Sequence, residues 1–126
     1  MLTTGQKLAI QRTDRSRLSE TDLENIKFGR VFSDHMFVMD YANGEWGAPG
    51  IMPFGDLELS PATLVLHYGQ TIFEGLKAYR SEKGGVNIFR PQANLARMTR
   101  SAERMCMPPI PEELVLDGLR ELVDLD

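Results

Sequence analysis

The spacing of apolar residues changes near the middle of the chain. LKAYR (76–80) and VNIFR (86–90) are short β-prone runs on either side of a glycine-containing turn, which predicts a β-hairpin. From Pro91 onward the spacing becomes helical, and Leu95, Met98, Ala102 and Met105 form a single apolar stripe that we expect to be buried. The pattern predicts a helix over about 91–105.

A second helix is predicted over about 112–124. The stretch PEELVLDGLRELVDLD follows Pro108 and Pro109, begins with Pro111 and places acidic residues in its first turn, where the helix dipole favours them. The same helix carries Asp124, Asp126 and no glycine cap at its other end, where negative charge is unfavourable. We interpret this ending as that of a segment from a longer chain.

The region before the hairpin is extended and broken by turns. VFSDHMFVMDY (31–41) predicts a strand, Asn43-Gly44 is a turn signal, and 51–61 carries a second extended segment. The apolar stretch 62–75 is interrupted by glycines. It predicts a short helix over 62–67 and another turn or two of helix over 70–74.

Residues 1–27 are polar and of mixed charge, which is typical of an arm outside the folded domain. One helical turn is expected in SETDLENI (19–26), capped by Ser19 or Thr21. The resulting organisation is an arm over 1–27 and one domain over 28–126. Its fold class is α+β, an antiparallel sheet that includes the hairpin, with helices on one face.

Composition restricts the possible partners. The 126 residues are 42% hydrophobic and 25% charged, as in a folded domain, and their net charge is −4. An acidic chain lacks the basic surface that nucleic acid requires, and it is unsuited to an anionic membrane surface. We therefore expect no nucleic-acid partner and no membrane partner.

The single cysteine, Cys106, excludes an intramolecular disulfide and a cysteine-based zinc site within this sequence. The first residues also lack the charged-then-apolar order of a secretory signal. Both features indicate a reducing, cytoplasmic location. Beside methionine and proline, Cys106 is expected to be a small buried residue and not a nucleophile.

Candidate chemistry is sparse. Asp34, His35, His67 and Glu74 could in principle form a hard-metal set, but they follow no ligand spacing, and we expect local hydrogen bonds and no metal. Tyr68, Phe73 and Tyr79 could line an apolar pocket, although core packing of Phe73 is the simpler interpretation.

Three arginines of the predicted helix 91–105 form a second candidate. Arg97, Arg100 and Arg104 lie close on one helical face. A guanidinium group suits phosphate, although a charged stripe usually faces solvent.

Several of these stretches together resemble the N-terminal part of the branched-chain-amino-acid aminotransferases, which are fold type IV enzymes that use pyridoxal 5'-phosphate (PLP). The resemblance runs from about Phe28 to Asp126. It is carried by FGRVFSDHM (28–36), IMPFGDLELSP (51–61), LVLHYGQTIFEGLKAYR (64–80) and IFRPQANLARMTRSAERM (88–105).

The resemblance implies transfer of the amino group of leucine, isoleucine or valine to 2-oxoglutarate, with PLP as cofactor, in a homodimer. It assigns Arg97 to the PLP phosphate and leaves Arg100 and Arg104 at the surface. Phe28, Tyr68 and Phe73 match residues that wall the substrate side chain, and Tyr68 comes from the neighbouring subunit. Lys77 matches a basic position near the substrate entrance.

The resemblance also implies an incomplete enzyme. The family's cofactor lysine lies in a second, larger domain. This sequence has four lysines, and none of them lies in a sequence that matches the surroundings of the cofactor lysine: Lys7, Lys27, Lys77 and Lys83. We therefore expect no catalytic residue in this segment and no activity from it alone. The alternatives are a non-catalytic α+β binding or dimerisation module, and a sister activity such as a D-amino-acid aminotransferase or an aminodeoxychorismate lyase.

Overall fold

The computed structural model describes residues 8–126. Its largest sheet has three strands in the order β1–β5–β2. The central strand β5 pairs in parallel with β1, through Ala9 with Gly50 and Ile10 with Ile51, and antiparallel with β2. The bounds of these strands are Ala9–Ile10 for β1, His35–Val38 for β2 and Gly50–Pro53 for β5.

Two small antiparallel hairpins accompany this sheet. Strands β3 (Tyr41–Ala42) and β4 (Glu45–Trp46) meet across Asn43-Gly44, both of which have positive φ, as the turn signal predicts. Strands β6 (Ala78–Arg80) and β7 (Val86–Ile88) form the second hairpin. The predicted 76–80/86–90 hairpin is therefore confirmed, but it forms its own sheet and does not extend the larger one.

The described residues contain three α-helices, and the two long ones match the predicted ranges. Helix α1 covers Leu64–His67, α2 covers Pro91–Arg104 and α3 covers Glu112–Leu125. Helix α3 packs on β2 and β5 of the larger sheet, and α2 packs on α3. The fold is thus a mixture of small, mainly antiparallel sheets and helices, consistent with α+β.

The core lies where α2, α3 and the larger sheet meet. Its buried hydrophobic side chains are Ile51 of β5 and Leu95 and Ala102 of α2. In α3, Gly118 is buried directly under the ring of Phe37 from β2. The helix and the sheet approach closely there because Gly118 has no side chain.

The predicted apolar stripe of α2 is buried along only part of its length. Leu95 and Ala102 are in the core and Met98 is half-buried, but Met105 is exposed just after the helix ends. The expectation that Cys106 is buried is wrong. Its side chain is exposed, and its φ of 53° turns the chain away from the helix axis.

The predicted helical turns over 70–74 are also wrong. Helix α1 ends at His67, and Gly69 has a left-handed φ of 62°, which stops helical propagation. The chain then continues without regular secondary structure until β6. Glu74 is drawn toward α2, where its carboxylate binds Arg97.

The arm has a helical turn, but at a different place. The turn is a 3₁₀-helix over Leu18–Glu20, and the Ser16 hydroxyl accepts a hydrogen bond from the Leu18 N–H. The predicted caps are wrong because Ser19 lies inside the turn and Thr21 follows it. Residues 1–7 of the predicted arm lie outside the described residues.

The middle of the arm contacts the larger sheet. Besides the pairing of β1, the Thr13 N–H donates to Nε2 of the buried His35 at 3.0 Å. This bond requires a lone pair on Nε2, so the ring proton is on Nδ1, which faces the Asp126 carboxylate. Arg17 adds an ion pair to Asp34 at 3.1 Å.

Within residues 8–126, every helix is too short or too polar to cross a lipid bilayer.

Candidate functional site

An arginine–carboxylate pair joins α2 to the irregular segment that precedes β6. Nε of Arg97 donates to Oε2 of Glu74 at 2.7 Å, and Nη2 donates to Oε1 of the same carboxylate. The Glu74 side chain is only 9% exposed, whereas the Arg97 side chain is 56% exposed. The pair thus has a nearly buried anionic end and an accessible cationic end.

Glu74 is held by two further donors. The N–H of Gly75 donates to Oε1 at 3.0 Å, and Nδ2 of Asn94 donates to the same oxygen at 3.2 Å. Asn94 also donates to the Gly75 carbonyl at 2.7 Å. Because Asn94 and Arg97 are three residues apart on α2, both side chains reach the same carboxylate.

These contacts strongly favour the charged form of Glu74. The hydrogen bond from Arg97, against the opposing effect of desolvation, lowers the pKa of Glu74 from 4.5 to about 2. In return, the hydrogen bond that Arg97 donates to the Glu74 carboxylate raises the pKa of Arg97. Both groups therefore remain ionised throughout the physiological pH range.

Arg97 also lines a cleft of about 320 Å³ between the hairpin and the start of α2. The cleft contains two more cationic residues, Lys77 and Arg90, and two aromatic ones, Tyr79 and Phe89. Arg90 precedes Pro91 with a left-handed φ of 49°, an uncommon conformation for a residue with a side chain. Three cations around one open cleft suit an anionic ligand such as a phosphate or a carboxylate.

The predicted aromatic residues do not share this cleft. Tyr68 lines a second cleft of about 440 Å³, together with Leu64, Gln70, Arg104, Met105 and Cys106. Phe28 and Phe73 line neither cleft. Of the predicted site residues, the structure therefore brings only Lys77 and Arg97 together.

The exposure of these aromatic side chains is high. Phe28 is 105% exposed, Phe73 is 91% exposed and Tyr68 is 78% exposed. The alternative in which Phe73 packs in the core is wrong. All three rings face outward from the residues that the structure describes.

The candidate metal set is dispersed. Asp34 pairs with Arg17, His35 bonds Thr13 and Asp126, and the exposed His67 ring lies edge-on to Tyr68. Among residues 8–126 there is no group of three or more His, Cys, Asp or Glu side chains able to hold a metal ion.

The sequence patterns missed the roles of Glu74, Asn94 and Arg90 in this site. Glu74 appeared only as a possible metal ligand, and its true partner is 23 residues away along the chain. The sequence did offer one signal for this site. Asn94 and Arg97 are three residues apart in a predicted helix, so they share a face that could bind a polar group from the segment before the hairpin. Arg100 and Arg104 are exposed, as expected for surface residues, although Arg104 also borders the Tyr68 cleft.

The chain is similar to several curated enzymes. It is 48% identical over 124 residues to branched-chain-amino-acid aminotransferase 2 of Bacillus subtilis, covering 98% of this chain and 34% of the relative. It is 53% identical over 106 residues to branched-chain-amino-acid transaminase 1 of the same organism, covering 83% and 30%. The mitochondrial branched-chain-amino-acid aminotransferase of Mus musculus is 40% identical over 120 residues, covering 94% and 30%. No family model matches the chain.

These similarities place the chain in the class of aminotransferases. Within that class it belongs to the branched-chain-amino-acid aminotransferase family, and the predicted resemblance is confirmed. The chain spans about a third of the length of these curated relatives. It therefore corresponds to one segment of such an enzyme.

Proposed function

We propose that this chain is the N-terminal segment of an enzyme that transfers the amino group of leucine, isoleucine or valine to 2-oxoglutarate. The observation that carries this proposal is the identity of 40–53% to branched-chain aminotransferases over most of the chain. The catalytic lysine is expected in the part of the enzyme outside this segment. The segment itself contributes binding groups.

PLP is the proposed cofactor, and when bound it supplies an electron sink for reactions at the amino-acid α-carbon. Arg97 would hold its phosphate. Two observations fit this role: the guanidinium is accessible, and it lies on a cleft that also contains Lys77 and Arg90. A guanidinium fork pairs well with phosphate oxygens because its N–H groups are planar and permanently charged.

Phe28, Tyr68 and Phe73 are proposed to form the apolar walls of the substrate pocket, with Lys77 near the substrate. A branched aliphatic side chain can be selected only by shape and by exclusion of water, and aromatic rings provide both. The rings are exposed here, so other parts of the assembly would complete the pocket. The proposed assembly is a homodimer in which Tyr68 reaches the partner's site.

The role of Arg97 is tested by comparing two arginines of α2 in the full-length enzyme. Arg97→Ala is expected to weaken PLP affinity at least about tenfold, because a hydrogen bond to a charged group is lost. Arg100→Ala is the matched control, since Arg100 is exposed on the same helix. Equilibrium titration of the apoenzyme with PLP measures both. Unchanged affinity in Arg97→Ala, with a loss in Arg100→Ala, would contradict the assignment.

The cross-subunit role of Tyr68 is tested by mixing two inactive full-length variants. One is Tyr68→Ala and the other lacks the cofactor lysine. If Tyr68 acts in the partner's site, the heterodimer contains one site with both an intact lysine and an intact tyrosine, and leucine transamination is recovered. If verified heterodimers remain inactive, Tyr68 acts within its own subunit, and the cross-subunit role is wrong.

A further inference from the structure

The Arg97 guanidinium is held along one edge. Nε and Nη2 bind the two oxygens of a single carboxylate, that of Glu74, which fixes the plane of the group. Nη1 lies outside this contact and makes no hydrogen bond to any residue within 8–126. The accessible side chain thus keeps donors available for a ligand while its orientation is already set.

The carboxylate that sets this orientation is itself held by several donors. Glu74 is nearly buried, and its Oε1 accepts hydrogen bonds from the Gly75 N–H and from Asn94 in addition to Arg97. Asn94 also binds the Gly75 carbonyl, so it fastens the segment around Glu74 to α2.

The charge balance is compatible with an anionic ligand next to this carboxylate. Glu74 neutralises one cation, but Lys77 and Arg90 line the same cleft as Arg97. The cleft therefore keeps a positive excess. Holding Arg97 in place before the ligand arrives reduces the conformational entropy that binding would otherwise cost.

We propose that Glu74 and Asn94 are positioning residues that orient the Arg97 guanidinium so that its free Nη1 group serves the cofactor phosphate. The inference rests on the proposed function, in which Arg97 binds that phosphate. Neither Glu74 nor Asn94 touches the cofactor. They act through Arg97.

The test uses two ligands that differ only in the phosphate. Full-length apoenzyme is titrated with PLP and with pyridoxal, and the ratio of their dissociation constants reports the contribution of the phosphate. Glu74→Gln is expected to weaken PLP binding about tenfold and to change pyridoxal binding less than about twofold. Asn94→Ala is expected to change the ratio in the same direction. Glu103→Gln, on the exposed surface of α2, is the matched control.

A second arm repeats Glu74→Gln in the Arg97→Ala background. If Glu74 acts through Arg97, it has no further effect on the ratio there. The proposal is overturned if Glu74→Gln weakens both ligands equally, which would show a structural role, or if it strengthens PLP binding, which would show competition with the phosphate. If Arg97→Ala leaves the ratio unchanged, the proposed phosphate role of Arg97 fails instead, so the two failures are distinguishable.

Discussion

The Glu74 carboxylate is nearly buried and accepts hydrogen bonds from Gly75, Asn94 and Arg97. These contacts affect the stability of the chain in acid. The pKa of Glu74 is about 2 in the folded chain and 4.5 ordinarily. A carboxyl group whose pKa is lowered by folding contributes stability above its ordinary pKa. That contribution declines as the pH falls from about 4.5 toward 2, because protonation then favours the unfolded chain.

We therefore expect the free energy of unfolding to depend less on pH in Glu74→Gln than in the wild type under acidic conditions. The free energy of unfolding of the wild type minus that of the variant should be constant above about pH 5.5 and should decrease between about pH 4.5 and 2. Urea unfolding over this pH range measures the difference. In the Arg97→Ala background the main partner is gone, so the pH dependence of the difference should be much smaller. An unchanged dependence in that background would contradict the pairing.

The position of Glu74 also shows what sequence patterns miss at the scale of single residues. The family motifs predicted Arg97 as a candidate binding residue, and the structure gives it an accessible guanidinium on a cationic cleft. Its partner could not be found in the same way. The contact joins an irregular segment to a helix, and no periodicity relates residues in two such elements.

At the scale of secondary-structure elements, the junction of α3 and β2 depends on one glycine. A Cβ added to Gly118 would lie within 3.0 Å of three atoms of the Phe37 ring. Glycine inside a helix ordinarily costs about 0.5–1 kcal/mol relative to alanine. Its presence here is explained by the close packing of α3 on the sheet.

Gly118→Ala is therefore expected to destabilise the chain by about 1–3 kcal/mol, although alanine is the better helix former. The measurement is urea unfolding followed by circular dichroism. Gly55→Ala is the matched control, because a Cβ there meets no atom within 4 Å. Combining Gly118→Ala with Phe37→Leu should cost less than the sum of the two single changes. A stabilising effect of Gly118→Ala alone would show that the helix does not pack as described.

The sequence predicted the secondary-structure elements correctly where the hydrophobic periodicity extended over many residues or where a turn had a specific sequence signal. Helices α2 and α3, the β6–β7 hairpin and the turn at Asn43-Gly44 follow from such signals, whereas strand β4 after that turn was not predicted. It failed over 70–74, where Gly69 ends the helical path and a distant ion pair directs the chain. The pairing of β1 with β5 was also missed, because a two-residue strand has too few positions to show alternation.

At the scale of the whole molecule, the distribution of apolar surface is uneven. The buried hydrophobic side chains are few, while Phe28, Tyr68 and Phe73 are almost fully exposed. Large exposed apolar groups commonly mark surfaces that are covered by another part of an assembly. This agrees with the proposal that the three rings belong to a pocket completed by other parts of an assembly. The chain spans about a third of the length of the curated relative that it matches over 124 residues.

From this surface we predict that the 126-residue chain studied alone self-associates. Sedimentation velocity over a range of concentrations should show a shift from monomer to larger species. Association is favourable because it removes the apolar surface of the exposed rings from water. The double variant Phe28→Ser/Phe73→Ser should remain monomeric to concentrations about tenfold higher, with unchanged circular dichroism, since neither ring is packed in the core. Leu23→Ser is the control, because it removes an exposed apolar side chain from the arm. If Leu23→Ser suppressed association equally, the effect would come from general apolar exposure and not from the rings proposed to face the partner.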